Sequence, residues 1–427
     1  MVQNRFLPMR VVLATVGSRG DIQPMLALAQ ALAARGHAPL VAAPPNFASW
    51  VQGLGLDFVP LGVDIQEYLA QRRSAFTGDP LRMLRTTREY FVEQVPGQMA
   101  QLEPVCRGAD VLVFAGLALA APSIAERLRL PVLGVLFTTC VLPAGAHPPP
   151  IVPWHGLPRW INRLLWGLDH LLANALARST LSAARAGIGL GPVSDLRKHL
   201  FDACRFVLAV DETLFPSDPD WQERFPYANY LYFDDPAPLD PGLEAWLGEG
   251  EPPLFLGFGS MSGEAAERAG HVAIEALAGS GRRCLVSAGW AGLGARDLPP
   301  GWRAVRDAPH ALLFPRCAAI VHHGGSGTLA SALRAGVPQV ILPLILDQFH
   351  HAHRLHLAGI APRPVPMERI TAMQLRAAIE AALALPESPR REAAERLRSS
   401  DGRGEIARRI EQLAAADLAP RNDASPS

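Results

Sequence analysis

The chain has 427 residues, 49% of them apolar, and its 40 Lys and Arg balance 40 Asp and Glu. That length exceeds what one hydrophobic core usually supports, so two domains of about 200 residues each are expected. The charge balance argues against a nucleic-acid binder, which would carry a basic excess, and the composition is that of a soluble globular protein.

The N-terminus runs from Met1 through Arg10 into a short strand without the apolar core of a signal peptide, and Met9 offers a second candidate start. Apolar runs at 11–16 and 40–43 flank a helical pattern at 24–34. Further runs at 111–114 and 132–136 flank a helix at 123–129. Continuous apolar strands alternating with helices indicate a parallel sheet covered on both faces. The most apolar region, 109–146, is broken by Pro122, Glu126, Arg127, Arg129 and Pro131, so no membrane-spanning helix is expected.

A proline-rich stretch at 143–153 suggests a loop over a cleft. Helical spacing of apolar residues at 160–172, with Trp160 and Trp166 among them, suggests core packing, a wall for a lipophilic ligand or a peripheral membrane contact. Prolines and acidic residues from 215 to 253 mark turns and a linker. A second alternation of strands then begins at 254–260 and continues at 283–286, 319–321 and 339–342, giving two doubly wound domains in series. A helical stretch at 390–416 has no evident place in either sheet. Five cysteines lie far apart with no C-x-x-C pair, so neither a zinc site nor a disulfide framework is suggested and a cytoplasmic location is expected.

Residues 318–330 read as a buried strand, a glycine-rich turn and a new helix. Bare backbone N–H groups and a helix dipole at such a junction grip a phosphate. Neither this turn nor that at 17–20 is followed by the acidic residue that a dinucleotide site requires about 20 residues on, which counts against an NAD enzyme. The second half instead carries Gly257-Phe258-Gly259-Ser260, Ser287 to Gly294, Ala308-Pro309-His310, His322-His323-Gly324-Gly325-Ser326-Gly327-Thr328, Gly336-Val337-Pro338-Gln339 and Leu346-Asp347-Gln348. The first half carries Gly17-Ser18-Arg19-Gly20-Asp21-Ile22-Gln23-Pro24, Arg35-Gly36-His37 and Gly55-Leu56-Asp57-Phe58. In this order they resemble GT-B glycosyltransferases of the UDP-glycosyltransferase superfamily, particularly sterol glucosyltransferases, glycopeptide-antibiotic glycosyltransferases and rhamnolipid rhamnosyltransferases. The resemblance spans most of the chain and thins between residues 64 and 250.

The resemblance implies an α/β GT-B fold, with two Rossmann-like doubly wound domains facing across a cleft. Residues 1–235 would bind the acceptor, 236–418 would bind the nucleotide-sugar donor, and 419–427 would form a disordered tail. It makes Asp21 the general base and Gly17, Ser18, Arg19 and Gly20 the acceptor loop. His322 would contact the donor diphosphate, cradled by Gly324, Gly325, Ser326, Gly327 and Thr328 with Ser260. Asp347 and Gln348 would read sugar hydroxyls, and Trp290, Ala308 and His310 would flank the nucleoside.

Other readings compete at each place. Asp21 can N-cap a helix starting at Pro24, Asp347 can cap the helix that follows it, His322 can be a core histidine, and Trp290 and His310 can be packing. Asp307 and Ala330 stand where plant relatives have a base-stacking tryptophan and a ribose-binding glutamate, so UDP versus dTDP stays open. Of His350, His351, His353 and His356, the pairs 350/353 and 353/356 share helix faces, but no nearby carboxylate completes a metal site. Asp218-Pro219-Asp220 has metal-binding D-x-D spacing within what reads as a turn. The expected activity is inverting, metal-independent transfer of a hexose from UDP-glucose or a dTDP-sugar to a hydroxyl of a sterol or other lipid, with no cofactor besides that co-substrate and no nucleic-acid partner. A polyketide, glycopeptide or hydroxy fatty acid acceptor is the alternative, as is a nucleotide-sugar binder without catalysis.

Overall fold

The computed structural model describes residues 7–65, 67–68, 80–221, 224–235, 237–258, 264–287, 298–305 and 308–418. The expected tail at 419–427 lies outside them. The first sheet contains β1 (Arg10–Val16), β2 (Ala38–Ala43), β3 (Asp57–Pro60), β4 (Val111–Gly116), β5 (Val132–Leu136) and β6 (Arg205–Leu208), in the order β3-β2-β1-β4-β5-β6. The second contains β7 (Leu254–Gly257), β8 (Cys284–Ser287), β9 (Trp302–Val305), β10 (Ala319–His322) and β11 (Gln339–Ile341), in the order β11-β10-β7-β8-β9. Every ladder within the two sheets is parallel.

Parallel strands need both faces covered, and the sequence supplies this by alternation. In β1, Val12, Ala14 and Val16 enter one core while Val11 and Leu13 enter another on the opposite face. Helix α1 (Arg19–Ala34) starts five residues earlier than its apolar pattern suggests, because Ser18 is its N-cap and Asp21 its third residue in a capping box. Pro24 is carried inside the helix, so Asp21 is not the cap of a helix that starts there.

Helix α2 (Pro80–Cys106) packs on α3 (Arg159–Gly187) over the first sheet. The stretch read as a linker is no exposed tether, since Phe215, Trp221, Phe225, Tyr230 and Phe233 are all buried. One apolar core runs from Leu112 and Phe114 of the first sheet to Leu329 and Leu333 of α4 (Ser326–Ala335) and to Leu355 of α5 (Asp347–Leu357), which stitches the two sheets together.

The C-terminal pattern resolves into two helices, α6 (Glu387–Arg398) and α7 (Gly402–Leu418). Helix α7 returns to the first sheet, where Ile406, Ala407, Ile410 and Ala414 join the core beneath β1 and α1. Sequence continuity groups it with the second domain, and its packing groups it with the first. Glu411 fixes the return: Arg35 donates to both of its oxygens at 2.7 Å, and the His37 ring contacts it at 3.0 Å. On α6, Arg396 makes a second two-pronged pair, with buried Asp211 at 2.8 and 3.1 Å.

Burial pushes the Glu411 carboxyl up, and its Arg35 and His37 partners outweigh that and hold it below the usual range. The stabilisation is therefore present at neutral pH and lost as pH falls through the carboxylate range. Glu411→Ala should destabilise the chain by about 2 kcal/mol at pH 7, below the usual cost of breaking a fully buried pair because Arg35 is partly exposed. The deficit should shrink toward pH 4. Denaturant melts at both pH values check it.

Candidate active site

In each sheet the strand order reverses at its centre, between β1 and β4 in the first and between β7 and β10 in the second. Ligands of doubly wound sheets bind at the carboxyl ends of strands at such points. The turn at 17–20 follows β1, and the turn at 323–325 follows β10. Chain topology thus brings the two glycine-rich segments to the two switch points.

On the first side, the Ser18 N–H donates to Asp21 Oδ2 at 2.8 Å and the Ser18 hydroxyl lies 3.2 Å from the same oxygen. A Cβ on Gly17 would collide with that carboxylate, and one on Gly116 would stand 3.3 Å from Oδ1 and inside the Val16 carbonyl. One oxygen serves the cap and the other lies beside Gly116. Burial pushes the Asp21 carboxyl up to about 6; the Ser18 backbone bond opposes this, and the negative charge of Asp347 from the other domain adds to it. Arg19 stacks over Trp50, 4.9 Å from its ring centroid.

On the second side, His322 is wholly buried at the end of β10. The Gly324 N–H donates to its Nδ1 at 3.2 Å, and its Nε2 lies 3.0 Å from Gln339 Oε1. Burial pushes the ring down to about 3, with His323 beside it adding to the fall. Both ring nitrogens are engaged within the fold, so His322 occupies the place of a core histidine and does not reach the cleft. The end of β10 is the reason: Val321 and His322 are both buried within the strand, and His323, just past its last residue, is partly exposed while its Nδ1 stays buried without a hydrogen-bond partner. Its ring lies against Gly325, where a Cβ would strike it, and burial pushes it down to about 4.

Gly324 has φ of +94°, and a Cβ there would meet Ile341 at 2.8 Å and the Gln348 carbonyl at 3.3 Å. Its N–H is taken by His322 and its carbonyl accepts from His351 Nδ1 at 2.8 Å. Gly324 therefore shapes the turn rather than donating to a ligand. Helix α4 begins at Ser326 behind the N-cap Gly325 with no side-chain cap, and its first intrahelical bond is Leu329 N–H to Gly325 O. The N–H groups of Ser326, Gly327 and Thr328 form its uncapped end, with the positive pole of the helix dipole. The Ser326 hydroxyl donates to the Phe137 carbonyl at 2.9 Å, across the domain boundary.

The sugar-reading pair stands at the start of α5. Leu346 precedes it with φ +49° and ψ −124°, a strained conformation that sets the direction of Asp347. Burial pushes the Asp347 carboxyl up, and His351, 3.7 Å from it, pulls the other way. Gln348 is buried, and its Oε1 accepts from the Leu344 and Ile345 N–H groups at 2.8 and 3.1 Å. That carbonyl is spent on the loop, so it is not available to a sugar hydroxyl.

His310 stacks on Phe314 with centroids 4.1 Å apart and rings 17° from parallel, which is the packing reading. Burial pushes it down to about 4, with Arg19 from the first domain adding to the fall. Ala308 precedes its short helix (His310–Leu313). Ser260 and Trp290 lie outside the described residues.

The four helix histidines also separate. His350 Nε2 meets Thr139 Oγ1 at 3.0 Å and His351 Nε2 meets Thr138 Oγ1 at 3.0 Å, both across the boundary, while His353 packs on His155. The D-x-D segment is a turn: Asp218 accepts from the Ala146 N–H and pairs with Arg159, and Asp220 pairs with Arg163. These contacts staple the 143–158 loop to α3. The outer face of α3 carries Trp160, Leu164, Leu168 and Leu171, each more than half exposed, with Trp154 beside its start in sequence. Among the described residues, no helix is long and apolar enough to cross a membrane.

The sequence offers either His322 or His323 as a donor at this turn, and it gives no sign of the roles of Gln339, His351 and Thr138. The doubled histidine was visible, but which of the two faces out follows only from where β10 ends.

Comparison with known proteins agrees with this arrangement. Residues 11–135 match the glycosyltransferase family 28 N-terminal domain, and residues 288–413 match the erythromycin biosynthesis protein CIII-like C-terminal domain. Glycosyltransferase GtfE of Amycolatopsis orientalis is 36% identical over 82% of this chain and 85% of its own length. A sterol 3-beta-glucosyltransferase of Arabidopsis thaliana, UGT80B1, is 29% identical over 87% of this chain and 62% of its own. The calicheamicin glycosyltransferase CalG4 superposes with a TM-score of 0.72 at 17% identity, covering 97% of this chain and all of that one. The two facing doubly wound sheets are thus a GT-B fold, and the chain belongs to the glycosyltransferases that join a family 28 N-terminal domain to an EryCIII-like C-terminal domain.

Proposed function

We propose that this glycosyltransferase moves a hexose from a nucleoside diphosphate sugar to a hydroxyl of a lipophilic acceptor, with inversion and without a metal. One observation carries the reading: Asp21 lies at the first switch point, close enough to Asp347 of the second domain for that charge to raise its pKa. A carboxylate at about 6 is poised to take a hydroxyl proton near neutral pH. In the proposed step the acceptor O–H proton passes to Asp21 Oδ1 as the oxygen bonds to the anomeric carbon. The bond from that carbon to the diphosphate breaks on the opposite face, and the leaving group keeps the electron pair. The uncapped N–H groups of Ser326, Gly327 and Thr328, with His323, would stabilise the charge on the diphosphate. Asp347 would accept from sugar hydroxyls, and Ala308 and His310 would border the nucleoside.

The acceptor reading rests on the outer face of α3, where four large apolar side chains recur along one side of the helix. A sterol or other lipid would cover this face, and a bilayer holding such an acceptor would meet the same face. A natural-product aglycone is the second reading, because a vancomycin aglycone glucosyltransferase of Amycolatopsis orientalis is 33% identical over 85% of its own length. Incubating the protein with UDP- and dTDP-sugars against sterols, lipid extracts and glycopeptide or macrolide aglycones, then reading mass gains of one hexose, decides between them. Binding of nucleotide without any product would favour a non-catalytic binder.

Three outcomes are expected. In the parent, kcat/KM should rise with pH through about 6 and then level off, because the base must be ionised. Asp21→Asn should lower kcat by about 10²–10⁴ with unchanged nucleotide affinity. It should melt no lower at pH 7.5, since the fold disfavours the ionised form of Asp21 and the amide can keep the Ser18 bond. His323→Ala should weaken UDP or dTDP binding about tenfold in calorimetry, the effect of losing one hydrogen bond to a charged group.

A further inference from the structure

Gln339 is fully buried at the start of β11. Strand residues there are normally apolar, as its neighbours Val340 and Ile341 are. Its amide Nε2 is buried without a hydrogen-bond partner. The side chain thus leaves a donor unsatisfied while its oxygen lies 3.0 Å from His322 Nε2. A buried group held at such a cost calls for a reason.

The reason follows from the protons. The Gly324 N–H points at His322 Nδ1 across 3.2 Å, which requires that nitrogen to be bare. A neutral imidazole then carries its single proton on Nε2, and that proton needs an acceptor. Gln339 Oε1 is that acceptor. Without it the ring could take the other tautomer, place a hydrogen on Nδ1 and turn the Gly324 contact into a clash of two donors. The ionisable groups facing the His322 ring are His323 of the same turn, His310 and His351, all imidazoles.

We propose that Gln339 is a positioning residue for donor binding: by fixing the His322 tautomer it holds the Gly324 peptide, and through it the phosphate-facing end of α4, in the donor-ready shape. It touches no substrate, and the inference rests on the donor-site reading above. The relay runs from β11 through the end of β10 to the turn, and His351 holds the carbonyl of the same residue, in the next peptide unit.

The test compares three variants with the parent. Gln339→Met removes the acceptor at similar volume, Gln339→Asn keeps an amide one methylene too short, and Gln339→Glu keeps an acceptor oxygen whether or not it is ionised. Nitrogen NMR of the histidine rings should show His322 as a single Nε2–H tautomer in the parent and in Gln339→Glu, and as a mixture in the Met and Asn variants. Those two variants should bind UDP or dTDP about tenfold more weakly and raise donor KM to match, with kcat within threefold of the parent, while Gln339→Glu stays within threefold in affinity. An unchanged tautomer or unchanged nucleotide affinity in whichever of the Met and Asn variants folds would overturn the proposal. A parent that binds neither UDP nor dTDP would overturn the donor-site reading, and this inference with it.

Discussion

The site is organised around one residue, Gly324, whose N–H is held by His322 and whose carbonyl is held by His351. The two imidazoles are opposite tautomers, one bare at Nδ1 and the other protonated there. Each is fixed by a further partner, Gln339 for the first and Thr138 for the second. Thr138 belongs to the first domain, so the shape of the donor turn is tied to the position of the other sheet. Phe137 and Thr139 add two more bonds across the same seam, to Ser326 and His350.

That seam explains the electrostatics. Docking the first domain on the start of α4 and α5 buries Asp21 and Asp347, which pushes both carboxyls up, and the charge of Asp347 adds to the rise at Asp21. Like charges held together in this way are a cost to stability. In the proposed mechanism the same pair divides the work, one accepting the proton of the incoming hydroxyl and the other the hydroxyls of the sugar.

Much of the fold was legible because parallel strands are unbroken apolar runs. The pattern at 11–16, 111–114 and 319–321 marks β1, β4 and β10 to within two residues at either end. Helix α1 was less so: its first turn is polar and glycine-bearing, and only the Ser18–Asp21 box shows that the helix has begun. The place of α7 was hidden, since burial of Ile406 and Ile410 against the first sheet is a tertiary fact that periodicity cannot carry. The site motifs stood out, but the direction of their side chains did not. His322 and His323 are equivalent as letters, and the end of β10 decides that the first is core and the second is partly exposed. Gln348 likewise turns its oxygen onto the 344–345 backbone.

The proposed mechanism needs the two halves of the site to share one cleft, in which the Asp21 carboxyl senses the charge of Asp347. Carbon NMR of labelled aspartate carboxyls tests it most directly, by titrating Asp21 in the parent and in Asp347→Asn. The account predicts an Asp21 pKa near 6 in the parent that falls when Asp347 is neutralised. An Asp21 that titrates in the ordinary carboxylate range, or one indifferent to Asp347, would contradict it.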